Sequence, residues 1–274
     1  MIYTIIKYFA YMVAEVLPLG GEIHFKLMTH YFNYPPLSND ELAFIYTILL
    51  LSLTLYFIRD IVRSVKELFR VFWLLVMGRG TIKNFCFDFK MLNVLLVTVV
   101  LCGVSFPFFV AFSGYSYSLY LSGALLIVSA AFLRLSEIFT LIKLDGKAAS
   151  VKETTIFCVL HILSFIPGLS RTAVMMGAGK FLGFERKHLA TLTLISFIPV
   201  VIFHLYGLDI DWVHLFALIY SQWKIFFILL GLMTLCMDLV FMIITSANFY
   251  KFYYYLAGLG IWTILDVFFI KRGL

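Results

Sequence analysis

The chain has 274 residues, of which 63% are hydrophobic, 18% aromatic and only 13% charged, and its mean hydropathy is +1.01. Soluble domains average about 45–50% apolar and about 25% charged residues, so this composition excludes a water-soluble enzyme and predicts a polytopic membrane protein. The net charge of +6 does not point to nucleic acid, because the basic residues fall between apolar runs, where they set topology.

In chain order, the first apolar piece spans about residues 1–18 and carries Lys7. It has neither a long basic region nor a small-residue cleavage site, so it is expected to stay in the fold. It runs into Glu15-Val16-Leu17-Pro18-Leu19-Gly20-Gly21-Glu22-Ile23-His24, where the proline and the glycine pair forbid a continuous helix. Non-helical backbone survives at membrane depth only where protein or a water-filled cavity covers it. One reading is a re-entrant loop whose Glu15 and His24 line a pocket; the other is an ordinary wet loop over 19–42.

Spanning helices need roughly 20 apolar residues. The expected spans are about 42–58, 91–113, 117–139, 188–206, 212–245 and 250–270, the fifth being long enough to tilt or break. Arg59, Arg63, Lys66, Arg70, Arg79, Lys83 and Lys90 crowd one inter-helix stretch, and Arg134, Lys143, Lys147 and Lys152 crowd another. Their basic excess predicts two cytoplasmic loops, with the region of Asp209 and Asp211 facing out and Lys271 and Arg272 a weaker cytoplasmic vote for the C-terminus.

A second short apolar piece, about 154–166, ends in Pro167-Gly168-Leu169-Ser170-Arg171-Thr172. Pro-Gly breaks the chain and Ser170 can cap the following helix, so free N–H groups would point where Arg171 also reaches. That is a phosphate site in outline. A proline-kinked helix whose arginine snorkels to the headgroups is the competing reading. Two interrupted segments about 150 positions apart suggest an inverted repeat with a site at its interface.

The expected fold is therefore an all-α polytopic membrane protein: about six spanning helices plus two re-entrant helical hairpins in one domain, 1–274, divided into pseudo-repeats of about 1–115 and 116–274. Cys86, Cys102, Cys158 and Cys236 stand singly in apolar surroundings and are read as packing residues. His30, His188, His204 and His214 lie in no motif and receive no role.

Around its two broken segments the chain resembles the bacitracin-resistance family of undecaprenyl-pyrophosphate phosphatases. That family carries a Glu-x-x-x-Glu-Phe-Leu-Pro-x-Ser-Ser-x-Gly-His element and a Pro-Gly-x-Ser-Arg-Ser-x-x-Thr element. This chain matches them with Glu15-Val16-Leu17-Pro18, with His24 in register, and with Pro167-Gly168-Leu169-Ser170-Arg171-Thr172. Gly183, Arg186 and Ser196-Phe197-Ile198-Pro199 also look like the helix that follows in the family. The first family glutamate, glutamine in some members, falls at Tyr11, the paired serines at Gly20 and Gly21, and the last threonine at Met175. Glu22 and His161, polar where Thr and Gln would stand, are candidates for compensation.

The resemblance implies a multi-pass protein of the bacterial inner membrane that releases phosphate from a polyprenyl diphosphate and so recycles the cell-wall lipid carrier. It gives Arg171 the role of diphosphate clamp, with Ser170 and the helix start holding oxygens. His24 becomes nucleophile or general acid, while Glu15 orients His24, activates water or holds a divalent cation, Mg or Ca. Gly168, Thr172, Gly20 and Gly21 line the substrate. The implied partners are the lipid and the bilayer, with no nucleic acid and with homo-oligomerisation open. A non-catalytic polyprenyl-phosphate transporter or lipid-binding homologue is the second reading, and a small-solute channel a third that leaves the motif matches unexplained.

Overall fold

The computed structural model describes residues 1–77, 94, 97–100, 102–103, 118–139, 151–160, 163, 166, 168–208 and 210–269. Arg79, Lys83, Cys86, Lys90, Lys143, Lys147, His161, Pro167, Asp209, Lys271 and Arg272, and most of the expected span 91–113, lie outside the described residues.

Among the described residues the regular structure is entirely helical: α1 (Ile2–Val16), α2 (Gly21–Phe32), α3 (Asn39–Tyr56), α4 (Ile58–Val76), α5 (Leu119–Ile138), α6 (Val151–Leu160), α7 (Arg171–Phe181), α8 (Arg186–Gly207), α9 (Trp212–Ser221), α10 (Trp223–Thr245) and α11 (Phe252–Phe269). The helices Leu119–Ile138, Arg186–Gly207, Trp223–Thr245 and Phe249–Phe269 are long and apolar enough to cross a membrane, and α3 with Ile58–Lys66, bent by 66°, makes a fifth if counted as one span. This is a multi-pass membrane protein. Its helices are apolar on both sides: α10 buries Met233 and Met237 yet leaves Leu235, Leu239 and Met242 exposed, the pattern of a helix bounded by protein on one face and lipid on the other.

The long apolar run 212–245 breaks at Gln222, which closes α9 and opens α10. The basic stretch after α3 is not the expected loop. Arg59, Arg63, Lys66 and Arg70 lie at helical spacing along α4, so one face gathers charge while apolar residues occupy the other, as in a helix lying at a membrane interface.

Ring and side-chain contacts fix the helix directions. Tyr8 meets Phe44, Tyr11 meets Tyr46, and Lys7 Nζ reaches Glu41 Oε1 at 2.9 Å, so α1 and α3 run parallel. α2 folds back, returning Tyr34 to within 5.8 Å of the Tyr3 ring. In the second half Phe184, just past α7, returns to within 5.7 Å of Phe157 on α6. α3 and α10 are parallel, with Phe44 on Phe226 and Tyr56 donating to Asp238 at 2.9 Å.

Two ends of the molecule follow. At one, Arg186 pairs with Glu137 at 2.6 Å and donates to the Ser246 carbonyl, while Arg134 lies over Tyr250 and Tyr253. At the other, Asn39 reaches the Leu208 carbonyl, Asp40 lies 3.4 Å from His214, and Tyr120 packs on Phe268. α5 and α11 are thus antiparallel, so the C-terminal helix ends away from Arg134, while Lys271 and Arg272 lie outside the described residues. Gly123 and Gly260 permit that packing: a Cβ on either would stand 2.8 or 2.6 Å from the other's carbonyl oxygen, the close approach that small residues allow between membrane helices.

Candidate active site

Both broken segments turn on a glycine in the left-handed region, Gly20 at φ 75° and Gly168 at φ 97°, which side chains disfavour. α2 starts directly after the first. α7 starts after the second, with Ser170 Oγ accepting from the Ala173 N–H at 3.4 Å. The expected cap is therefore present.

The two tips touch. A Cβ on Gly20 would stand 3.7 Å from Ser170 Cα, and one on Gly168 would stand 3.3 Å from Ile23 Cδ1. Thr172 Oγ1 donates to the Val16 carbonyl at 2.7 Å, and the Ser170 N–H donates to Ser129 Oγ at 2.9 Å. Helix geometry leaves the Arg171 and Thr172 N–H groups without an intrahelical carbonyl. Thr172 thus latches one tip to the other, and Gly20 lies where they meet.

Arg171 is only 9% exposed although it carries a full charge. Its Cζ lies 4.0 Å from the centre of the Phe197 ring, and Nη2 lies 3.3 Å from His204 Nε2. Nε and Nη1 are buried without a hydrogen-bond partner. Burying a charged donor unpaired is costly, and an anion at this point could supply the missing acceptors.

Glu15, 8% exposed, accepts from the Glu22 N–H at 3.1 Å, a carboxylate on the first turn of α2 where the helix dipole favours it. Gly21 has no room for a side chain, because a Cβ there would stand 2.9 Å from Glu15 Oε1. Glu22 is exposed and interacts electrostatically with both Glu15 and Arg171. Tyr11, where the family has an acid, is buried and shares a 3.1 Å hydrogen bond with Tyr46. Met175 is fully buried in the apolar core.

His24 stands one turn along α2 from Gly20. Its Nδ1 lies 2.9 Å from the Gly20 carbonyl and its Nε2 2.7 Å from the Tyr255 hydroxyl, with the two rings stacked. A carbonyl only accepts, so Nδ1 carries the proton and Nε2 has the free lone pair. The ring contacts are to Gly20 and Tyr255, while the guanidinium contacts are to His204 and Phe197. Glu15, Glu22 and Arg171 form one electrostatic cluster, and His24 flanks it through the Gly20 tip. Among the described residues no group of three or more His, Cys, Asp or Glu could hold a metal ion. Glu15 and Glu22 nevertheless suit the manner in which Mg²⁺ is often held, by one or two carboxylates completed by substrate phosphates and water.

Sequence reasoning passed over His204, Tyr46, Tyr255 and Ser129. Each lies on a spanning or broken-span helix, where a single polar residue carries no motif; His204 alone had a signal, standing seven positions after Phe197 and hence on the same face of α8.

These features define a multi-pass membrane protein with a buried, half-satisfied guanidinium where two broken segments meet. The chain belongs to the family described as Bacitracin resistance protein BacA, which matches residues 12–262. It is similar to the undecaprenyl-diphosphatase of Tropheryma whipplei (strain TW08/27), 26% identical over 271 residues covering 94% of this chain and 95% of that protein. It is also similar to the undecaprenyl-diphosphatase of Elusimicrobium minutum (strain Pei191), 26% identical over 200 residues, 68% of this chain and 67% of that protein.

Proposed function

We propose that this chain is an undecaprenyl-diphosphatase: with water it splits the phosphoric anhydride of a polyprenyl diphosphate into the lipid monophosphate and inorganic phosphate. The observation that carries the reading is Arg171, buried at the meeting of the two tips with Nε and Nη1 unpartnered. A diphosphate head supplies the missing acceptors while its tail stays in lipid. The family and the relatives named above agree with this chemistry.

In this reading the Arg171 guanidinium and the first N–H groups of α7 bind phosphate oxygens and stabilise the charge that grows on them during cleavage. Ser170 keeps the start of α7 in place. The His24 Nε2 lone pair attacks phosphorus or takes a proton from water, after the Tyr255 hydroxyl gives way to substrate. Glu15 steadies the first turn of α2, and so His24, through the Glu22 N–H. A divalent ion, Mg²⁺ or Ca²⁺, would be held by Glu15 and Glu22 and would supply positive charge to the diphosphate. The hairpins α1–α2 and α6–α7 are re-entrant and enter from opposite faces, as halves of an inverted repeat over about 1–115 and 116–274 within one domain of about six spans. The closures Tyr3–Tyr34 and Phe157–Phe184 support this. The protein works in the bacterial inner membrane.

Phosphate release from a polyprenyl diphosphate by purified protein in detergent, with and without Mg²⁺ or Ca²⁺, tests the reading: one phosphate freed per lipid is expected. A non-catalytic lipid-phosphate binder is favoured by one observation, the phenol of Tyr11 where the family has an acid. Tight binding without release would select it.

A further inference from the structure

Arg171 can serve a phosphate only if its fork is held in one orientation, and the side chain has several rotatable bonds. Two residues of α8 hold it. Phe197 meets the guanidinium face-on, its ring centre 4.0 Å from Cζ, and His204 meets it edge-on, Nε2 lying 3.3 Å from Nη2. They are seven positions apart, two turns of one helix, and so share a face. A guanidinium only donates, so His204 Nε2 must be the acceptor and the ring proton sits on Nδ1. The His204 ring in turn packs 5.4 Å from the Tyr46 ring, and the Tyr46 hydroxyl meets that of Tyr11 at 3.1 Å. Tyr11 lies one turn before Glu15 on α1 and interacts with that carboxylate. A polar layer from α8 through α3 to α1 thus ends on the helix that carries the other half of the cradle.

Building on the phosphatase reading, we infer that His204, backed by the Tyr46–Tyr11 pair, is a positioning residue: it fixes Nη2 of Arg171 so that the remaining guanidinium donors are presented to the lipid's phosphates. The layer includes Tyr11, the position where the resemblance would place a glutamate or glutamine. With only Phe197 to hold it, the fork would turn about its own plane, since a ring face fixes height above the ring and leaves rotation free.

The test is a double-mutant cycle on the full-length protein in detergent, read as the Kd for a non-hydrolysable methylene-bisphosphonate analogue of the polyprenyl diphosphate. Losing one hydrogen bond to a charged group should weaken binding about tenfold or more in His204→Leu. His204→Gln, which returns an acceptor at the position of Nε2, should recover binding to within about threefold, and in an Arg171→Ala background His204→Leu should change nothing further. A packing role would give no rescue by glutamine and an effect that persists without Arg171. Either result, or wild-type affinity in His204→Leu, overturns the inference. A wild type that binds the analogue but releases no phosphate defeats the phosphatase reading alone, because the cycle is still read; a wild type that does not bind it defeats both.

Discussion

At residue 171 a positive charge inside an apolar bundle is held by one ring face and one imidazole edge, with two nitrogens left open. Lysine carries the same charge but has no planar fork, so it cannot keep the His204 contact and present further donors to phosphate together. Arg171→Lys should therefore lose transition-state stabilisation on the order of 2–4 kcal/mol in kcat/KM while membrane abundance stays unchanged. Equal turnover would reduce Arg171 to a snorkelling residue. Glu22, exposed and facing Glu15 and Arg171, is the carboxylate free to replace the acid missing at Tyr11. Glu22→Gln should cut phosphate release roughly 10²-fold, the range of a lost acid–base group, and leave binding of the phosphonate analogue, measured without added Mg²⁺ or Ca²⁺, near wild type; normal release would show that Glu22 compensates for nothing. Arg171, Ser170 and Gly168 were legible in the sequence because charge and chain-breakers are anomalies in an apolar run. His204 and Tyr46 were not, since their significance comes from packing between α8 and α3: the seven-residue spacing of Phe197 and His204 gives a shared face but not what that face meets.

At the scale of elements, apolar runs revealed the long helices α5, α8, α10 and α11 because length alone separates a spanning helix from a strand or a core helix. The break at Gln222 was legible only as excess length. A count of basic residues does not reveal α4, whose signature is their period: Arg59, Arg63, Lys66 and Arg70 recur at helical spacing. The antiparallel contact of α5 with α11 had no sequence signature beyond isolated glycines. That contact is testable. In Gly260→Val the Cβ alone would stand 2.6 Å from the Gly123 carbonyl oxygen, and backbone cannot retreat as a side-chain tip can. Overpacking of this kind costs about 1–3 kcal/mol, so the unfolding midpoint in detergent should fall. Because α11 carries Tyr255, the partner of His24, turnover should fall with it. An unchanged midpoint would mean that the two helices do not approach so closely.

For the molecule as a whole, the helix directions convert a charge count into a stringent topology. Arg59, Arg63, Lys66 and Arg70 follow α3, which runs parallel to α10, and α10 ends where Arg186 meets Glu137 and Ser246, next to Arg134. Arg59, Arg63, Lys66 and Arg70 therefore lie at the same end as Arg134. A positive-inside bias assigns that end to the cytoplasm. The opposite end gathers Asn39, Leu208, His214 and Phe268, and it includes the end of α11. Starting from a variant without its natural cysteines, single cysteines at exposed Pro36, Val213 and Phe269 should react with an impermeant maleimide in intact spheroplasts. Cysteines at exposed Lys66 and Lys187 should react only after the membrane is opened. Position 269 is the sharpest of these, because the basic residues that follow it argue for the cytoplasm while the antiparallel packing of α5 and α11 argues for the outside. Protection at 269 together with labelling at 36 would break the helix arrangement itself, whereas a uniform reversal of all five would leave the fold intact and turn only its orientation in the membrane.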